Sequence, residues 1–563
     1  MDFFRAHKAK HTPVPTYFIE STAPNNVDDF GVPDLEPSDE LEEVGAEEAL
    51  QNIAEVLAAG PDRNLVVMVH GFNNPLASVL RMYTAAATAI ASDPAINDRK
   101  GLVCVGYRWP SEKMGQPWRG TWDALPTLPT WLLYLGIALA AVPFLLFYFL
   151  PSGANWTVDV STYLRNLLGD HLVTLFGMAL AGLVVTAALL RAIVYFRDTF
   201  RATNFGVPDL VQIICTIDGK IAEIRGSREP ENNVQLSFIG HSMGGFVVTN
   251  TIRVLSDVFK SPVSRVDAYG AGGDELPSPN VGRAFVLKRF VLASPDIPAE
   301  TLVTSRANFL ATSLTRFDEA YLFSNEGDEV LRQISTLANY FVFPTMSRDH
   351  GFRLGNVEIL SEKFGLIVAR NDIDLLHRLR IGQLTLAELY GRLQHADTER
   401  QSKYATHPGQ PAPASQPHQP LLPSRFSYFD CTDYVDLDNN KKKRPLLTFA
   451  KCQKLSNEKA RLGWLSHIWL LIAYVVRLRP NVHGGYFEGR LSQQLIYRLA
   501  CLGYADTVRA YGPTEAAMGA ECRDRQIRVL ISPRLLGVRR ALPPPPPGSA
   551  VSEAPAESEP PAS

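Results

Sequence analysis

The segment Gly240-His241-Ser242-Met243-Gly244 carries the clearest chemistry in the chain. It follows the apolar run Leu236-Ser-Phe-Ile239, which has the character of a buried strand, and precedes a helix-like run from Phe246 to Leu255. Strand, G-x-S-x-G and helix in direct succession are the context of a nucleophile elbow, which holds a serine on a sharp, strained turn. Glycines two positions before and after the serine allow the turn to pass close to the neighbouring strand and helix, where a side chain would collide.

A serine hydroxyl becomes nucleophilic only when a histidine takes its proton, and that histidine needs a carboxylate to hold its tautomer. On a strand–elbow–helix framework the order is serine, acid, histidine. Three acid positions fit. Asp328, in Ser324-Asn-Glu-Gly-Asp328, follows the strand-like Glu319–Ser324 on a short turn-rich loop and is favoured. Asp296 ends an earlier strand-like run, and Asp430 (or Asp433) ends a later one. For the base, His407 and His418 fall in a proline-rich stretch, His377 and His395 occupy surface-type helix positions, and His467 sits in an apolar helical run that reads as packing. His350 and His483 remain, both in glycine-containing loops where an imidazole can swing over a serine. His483 comes after the last candidate strand and acid, and is favoured; His350 is the alternative.

The tetrahedral oxyanion of acyl transfer needs two backbone N–H donors. Met243 supplies one as the residue after the nucleophile, and Phe72, in His70-Gly-Phe-Asn-Asn74, supplies the other. His70 reads as a brace of that loop rather than as a second base.

These residues need a sheet to position them. Asn64–Val69 is a short, β-branched, continuous apolar run, as expected of a parallel strand covered on both faces. A helix is expected over 76–92, a strand over 101–107, a helix over 207–224, and strands within 17–19, 283–297, 319–324 and 426–433. Helical spacing also marks 46–59 and the region 457–477. Alternating strand and helix signals predict βαβ units and a mostly parallel sheet with helices on both faces.

Two runs interrupt this pattern. Residues 131–150 carry no charge, and 172–190 contain only Thr174 and Thr186 as polar members. Each matches the ~20 residues needed to cross a hydrocarbon core, and Trp131, Tyr148, Trp156 and Tyr195 lie near their ends as interfacial aromatics do. Lys113 and Arg119 precede the pair and Arg191, Arg197 and Arg201 follow it, whereas the loop 151–171 has Arg165 alone. That asymmetry puts both flanks, and the catalytic parts with them, on the cytoplasmic side of the membrane. The acceptor sequence Asn155-Trp-Thr157 lies in this short loop and reads as coincidence.

Composition bounds the rest. The 563 residues are 46% hydrophobic and 20% charged, with a formal net charge of −3, so no nucleic-acid partner is expected. Six scattered cysteines without a C-x-x-C pair suit reduced thiols, and no metal or organic cofactor is indicated.

At its motifs the chain resembles the α/β-hydrolases, and more narrowly bacterial members with an HGFNN oxyanion loop, a W-P-S segment ending the next strand and an HSMG elbow. Here these are His70 to Asn74, Trp109 to Ser111 and His241 to Gly244. The likeness extends to Ala293–Ile297, Ser324–Asp328 and Val482–Tyr486. It implies an α/β-hydrolase fold and serine-dependent ester cleavage, and gives no substrate. The departure is the inserted hairpin. The expected organisation is a first hydrolase part at 1–130, a transmembrane hairpin at 131–196, the elbow part at 197–395, a disordered linker at 396–424, a last hydrolase part at 425–541 and a disordered tail at 542–563. The expected activity is cleavage of a small-molecule or lipid ester, or a thioester, by a membrane-anchored Ser242–His483–Asp328 triad. An acyltransferase with the same site and a non-catalytic membrane scaffold are the alternatives.

Overall fold

The computed structural model describes residues 4–10, 12–24, 40–111, 194–226, 233–255, 279–298, 309–335, 353–356, 426–437, 443–447, 464–475, 481–532 and 535. Both expected spans, His350, the 396–424 linker and the 542–563 tail lie outside these residues. Among the described residues, no helix is long and apolar enough to cross a membrane.

The fold is mixed α/β around one 11-stranded sheet. Its parallel centre runs in the spatial order β10 (Phe426–Asp430), β9 (Glu319–Ser324), β8 (Phe285–Ala293), β6 (Val234–His241), β4 (Asn64–Val69), β5 (Leu102–Arg108) and β2 (Thr16–Ser21). Antiparallel strands close both sides: β1 (Phe4–Ala9) and β3 (Leu41–Val44) beyond β2, and β13 (Arg528–Leu530) beyond β10. Short β7 (Asn280–Val281) pairs with β8, and β11 (Val435–Leu437) with β12 (Lys443–Pro445) forms a separate ribbon. Each expected strand corresponds to one of these elements, the last ending at Asp430 rather than Asp433; β1, β3, β7, β11, β12 and β13 are additions.

The continuous apolar run of β4 is explained by burial on both faces. Leu65, Val67 and Val69 point into a core shared with α1 (Ala46–Ala59), α3 (Val207–Arg225) and α4 (Met243–Leu255). Val66 and Met68 point into the opposite core, with α2 (Leu76–Ser92) and α7 (Arg490–Cys501). Each such side chain, fully withdrawn from water, contributes about 1.5–3 kcal/mol. Helix α3 ends where Gly226 takes φ 72° and returns its N–H to Ala222 and Glu223. Among the described residues after His483, three α-helices lie where the sequence assigns none: α7, α8 (Tyr504–Tyr511) and α9 (Glu515–Asp524). Leu491, Leu495, Ile496 and Leu499 of α7 make the buried stripe of a helix that covers the sheet.

Candidate active site

After β4 the chain moves to β5 on one side, then returns past β4 to β6 on the other. Such a reversal opens a crevice at the carboxyl ends of the two strands flanking it, where parallel sheets bind ligands. The candidate residues gather at these ends. His70–Asn74 follow β4, Ser242 follows β6, Ser294 and Asp296 follow β8, and Asn325–Asp328 follow β9.

Ser242 is the turn between β6 and α4, with φ 54°. A non-glycine residue in this left-handed region carries about 1–2 kcal/mol of strain and persists only where its surroundings enforce it. Here they do. The Ser242 N–H donates to Ala293 O at 3.1 Å, and the Ser242 carbonyl accepts from Gly245 and Asp296, both at 3.0 Å. Gly244 lies so close to β4 that a Cβ there would stand 2.2 Å from Val69 O. The Ser242 side chain is buried, and its Oγ has no hydrogen-bond partner.

Asp328 and His483, 155 residues apart, are brought together: His483 Nδ1 donates to Asp328 Oδ2 at 2.7 Å. The carboxylate is fully buried and accepts three further hydrogen bonds, from the Ser294 hydroxyl at Oδ2 and from the Val330 and Leu331 N–H groups at Oδ1. With Nδ1–H committed to Asp328, the neutral imidazole carries its lone pair on Nε2. Burial works against a charge on His483. The Asp328 charge and hydrogen bond, with a smaller contribution from Asp296, outweigh it and hold the imidazole above its usual pKa.

Two neighbours fix the His483 loop. Asn325 Nδ2 donates to Val482 O at 2.8 Å. His241 Nε2 lies 3.1 Å from His483 O, with the two rings 5.1 Å apart. Burial, together with the nearby His483, drives the His241 pKa down to about 3. His241 is therefore neutral, donates from Nε2 to that carbonyl, and orients the loop one residue from the serine.

The HGFNN loop is fastened by the W-P-S segment. The Trp109 indole donates to His70 O at 3.0 Å, and its ring stacks on the His70 ring at 5.2 Å. Ser111 Oγ accepts from Asn74 N–H at 3.2 Å and donates to Asp198 Oδ2 at 3.0 Å. The same Asp198 oxygen accepts the N–H of Asn73 at 2.9 Å, and Asn73 is left-handed at φ 60°. These bonds use the N–H groups of Asn73 and Asn74, leaving the Phe72 N–H outside the set. Met243 opens α4, so its N–H has no carbonyl one turn earlier within the helix. The Phe72 ring packs edge-on against Tyr195. Burial pushes the His70 pKa down to about 3, so the ring braces the loop as a neutral group.

The remaining candidates have other partners. Asp296 pairs with Arg353 at 3.1 Å and accepts from Ser335 Oγ at 3.1 Å. Asp430 caps its own turn through Thr432 N–H and Oγ and pairs with Arg528 at 2.7 Å; Asp433 lies 3.9 Å from the same guanidinium. His467 is buried as expected, but its Nδ1 meets Glu329 Oε1 at 2.5 Å rather than apolar neighbours alone. Arg201, read from the sequence as a cation flanking the second span, is buried against Asp198 at 3.3 Å.

Four participants were not singled out from sequence. Ser294, His241 and Asn325 all lie inside motifs quoted for a neighbouring residue. Asp198 left no signal, because it reaches the HGFNN loop from 125 residues away. Among the described residues, no cluster of three or more His, Cys, Asp or Glu side chains is arranged to hold a metal ion. No known protein family matches this chain, and searches of curated proteins and of solved structures return no match either.

Proposed function

We propose that the chain is a serine hydrolase of the α/β-hydrolase type that cleaves a carboxylic ester or thioester through an acyl-enzyme. The observation that carries this reading is the 2.7 Å bond between His483 Nδ1 and buried Asp328, assembled next to a serine held at φ 54° on a strand–turn–helix. In the reaction, Ser242 Oγ attacks the acyl carbon while His483 Nε2 takes its proton. Oγ and Nε2 are not hydrogen-bonded in the structure, and such contacts commonly tighten only when substrate binds. The N–H groups of Phe72 and Met243 receive the oxyanion. The C–O or C–S bond then breaks, and the leaving oxygen or sulfur takes the proton from Nε2. Water, deprotonated by the same nitrogen, attacks the acyl-enzyme, releases the acid and restores Ser242. Asp328 holds the tautomer and stabilises the imidazolium.

Membrane anchoring belongs to the same proposal and rests on the two charge-free runs and their basic flanks. The catalytic parts then face the cytoplasm.

A fluorophosphonate probe tests the chemistry. Detergent-solubilised protein is expected to be labelled at Ser242 and to hydrolyse short p-nitrophenyl esters, with both lost in Ser242→Ala. Labelling of Ser242→Ala at the wild-type stoichiometry refutes the assignment, and absence of both labelling and turnover in the wild type favours a scaffold.

A further inference from the structure

Three loops of the candidate site converge on Arg353, a residue that none of the motifs contains. Its Nε pairs with Asp296 Oδ1 at 3.1 Å, and its Nη2 donates to the Tyr195 hydroxyl at 3.1 Å and to Ser335 O at 2.8 Å. Ser335 Oγ donates in turn to Asp296 Oδ2 at 3.1 Å, so Arg353, Ser335 and Asp296 form a closed ring of contacts. All four side chains are buried.

Each partner leads to a different part of the site. The Asp296 N–H donates to the Ser242 carbonyl at 3.0 Å, which attaches the ring to the elbow. The Tyr195 ring packs edge-on against Phe72, with centroids 5.7 Å apart, which carries the contact to the oxyanion loop. The backbone beside Arg353 reaches the acid loop. Leu354 N–H donates to Ile297 O at 2.8 Å, Gly355 N–H to Pro295 O at 3.0 Å, and Asn325 N–H to Gly355 O at 2.9 Å. Only glycine fits at 355, because a Cβ there would stand 2.4 Å from the Ser294 carbonyl carbon and from Leu331 Cδ1. Asn325 then holds the base loop through Val482 O.

We propose that Arg353 is a positioning residue of this site: by holding Asp296, Ser335 and Tyr195 at once, it locks the elbow, the acid loop and the oxyanion loop to one another. A guanidinium suits the task, because its donors lie in one rigid plane and meet several acceptors in fixed directions. Stability alone does not account for the pair, since the cost of desolvating buried charges largely cancels their attraction. Asp296 also acts through its charge. Against burial, it adds to Asp328 in holding the His483 imidazole above its usual pKa. His241 beside that ring and Tyr486 three residues along its loop are kept neutral by burial. Arg353, paired with Asp296, limits how much of that carboxylate's charge reaches His483. The contacts stand on their own; only their effect on rate rests on the serine-hydrolase reading.

The test uses the full detergent-solubilised chain and reads fluorophosphonate labelling rate, thermal melting and the His483 titration midpoint. The midpoint comes from NMR of isotope-labelled histidine, with the signal assigned by His483→Gln. Tyr195→Phe removes one acceptor from Arg353 and leaves every buried charge its counter-ion. It is expected to melt near wild type, to keep the His483 midpoint and to be labelled ~10-fold more slowly, as the loss of one hydrogen bond to a charged group allows. Asp296→Asn removes a negative charge and leaves Arg353 uncompensated, and both changes lower the His483 midpoint. Adding Arg353→Met to Asp296→Asn should bring the midpoint part of the way back. A pair that merely filled space would lower Tm and leave the midpoints where they are. Labelling of Tyr195→Phe at the wild-type rate overturns the lock on the oxyanion loop, and an unmoved midpoint in Asp296→Asn overturns the link through charge. Should the charge variants fail to fold, Tyr195→Phe decides alone. A wild-type chain that is not labelled at Ser242 refutes the hydrolase reading, while the midpoints still decide the role of the pair.

Discussion

Gly71→Ala places a single methyl group against Ser242, the proposed nucleophile. A Cβ at position 71 would stand 2.7 Å from Ser242 Cβ, 3.1 Å from Ser242 Oγ and 3.3 Å from His241 O. Ordinary carbon contacts begin near ~3.5 Å, so Ser242 must retreat by about 0.8 Å or the HGFNN loop must move by the same amount. Neither is free to yield, since Ser242 is bonded on both sides of its turn and the loop is fastened to Trp109, Ser111 and Asp198. A displacement of ~1 Å at a reacting centre costs on the order of 10²-fold in rate, equivalent to about 2.7 kcal/mol of barrier. Gly71 does not have a positive φ, so alanine brings no backbone penalty. Overpacking of about 1–3 kcal/mol is offset in part by the ~0.4–1 kcal/mol that alanine removes from the unfolded chain's entropy. The variant is therefore expected to fold with a modestly lowered Tm and to react with a fluorophosphonate ~10²-fold more slowly. The assay is the second-order rate of probe labelling, with circular dichroism and melting as the control for folding. A folded Gly71→Ala labelled at the wild-type rate refutes the reasoning that Gly71 is required by closeness to Ser242.

Other expectations follow from neighbouring contacts. Because a general base must be neutral and the pKa of His483 is raised, the acid limb of kcat/KM should fall above the ordinary histidine value of ~6.5. In Asp328→Asn, burial acts without its counter-charge, so that limb should move downward while the rate drops ~10³–10⁴-fold; an unmoved limb excludes His483 as the titrating base. The same raised pKa gives a stability contribution fully present below ~pH 6.5 and lost as pH rises through the folded value, readable from Tm against pH. Ser111→Ala leaves the Asn74 N–H and one Asp198 contact unmet, at about 1–3 kcal/mol, and should lower the labelling rate without moving the pH limb. In Gly244→Ala a Cβ would meet three backbone atoms of Val69 and His70 within 2.7 Å, so stability should fall by about 1–3 kcal/mol or more, measured by thermal or denaturant unfolding.

Much of the sheet was legible because its signals are local. The unbroken apolar run of β4, the G-x-S-x-G before α4 and the turn-rich loop after β9 each report a strand end through neighbouring residues alone. The motifs HGFNN and W-P-S were also visible as strings, but their relation was not. Only folding shows that Trp109 and Ser111 hold His70 and Asn74 in place. The edge strands β1, β3 and β13 were missed because short antiparallel edges carry weak patterns and are stabilised by their partners.

By itself the sequence determined the nucleophile candidate, the two candidate oxyanion donors, the direction of the sheet and two runs long enough to cross a bilayer. It left acid and base as short lists, since a carboxylate after a strand and a histidine in a glycine loop look alike wherever they occur. Tertiary structure alone decided which pair meets. Asp328 reaches His483 across 155 residues, while Asp296 and Asp430 are occupied by Arg353 and Arg528. Distance along the chain carries no information about such pairings; they follow from which loops the strand order brings to one end of the sheet.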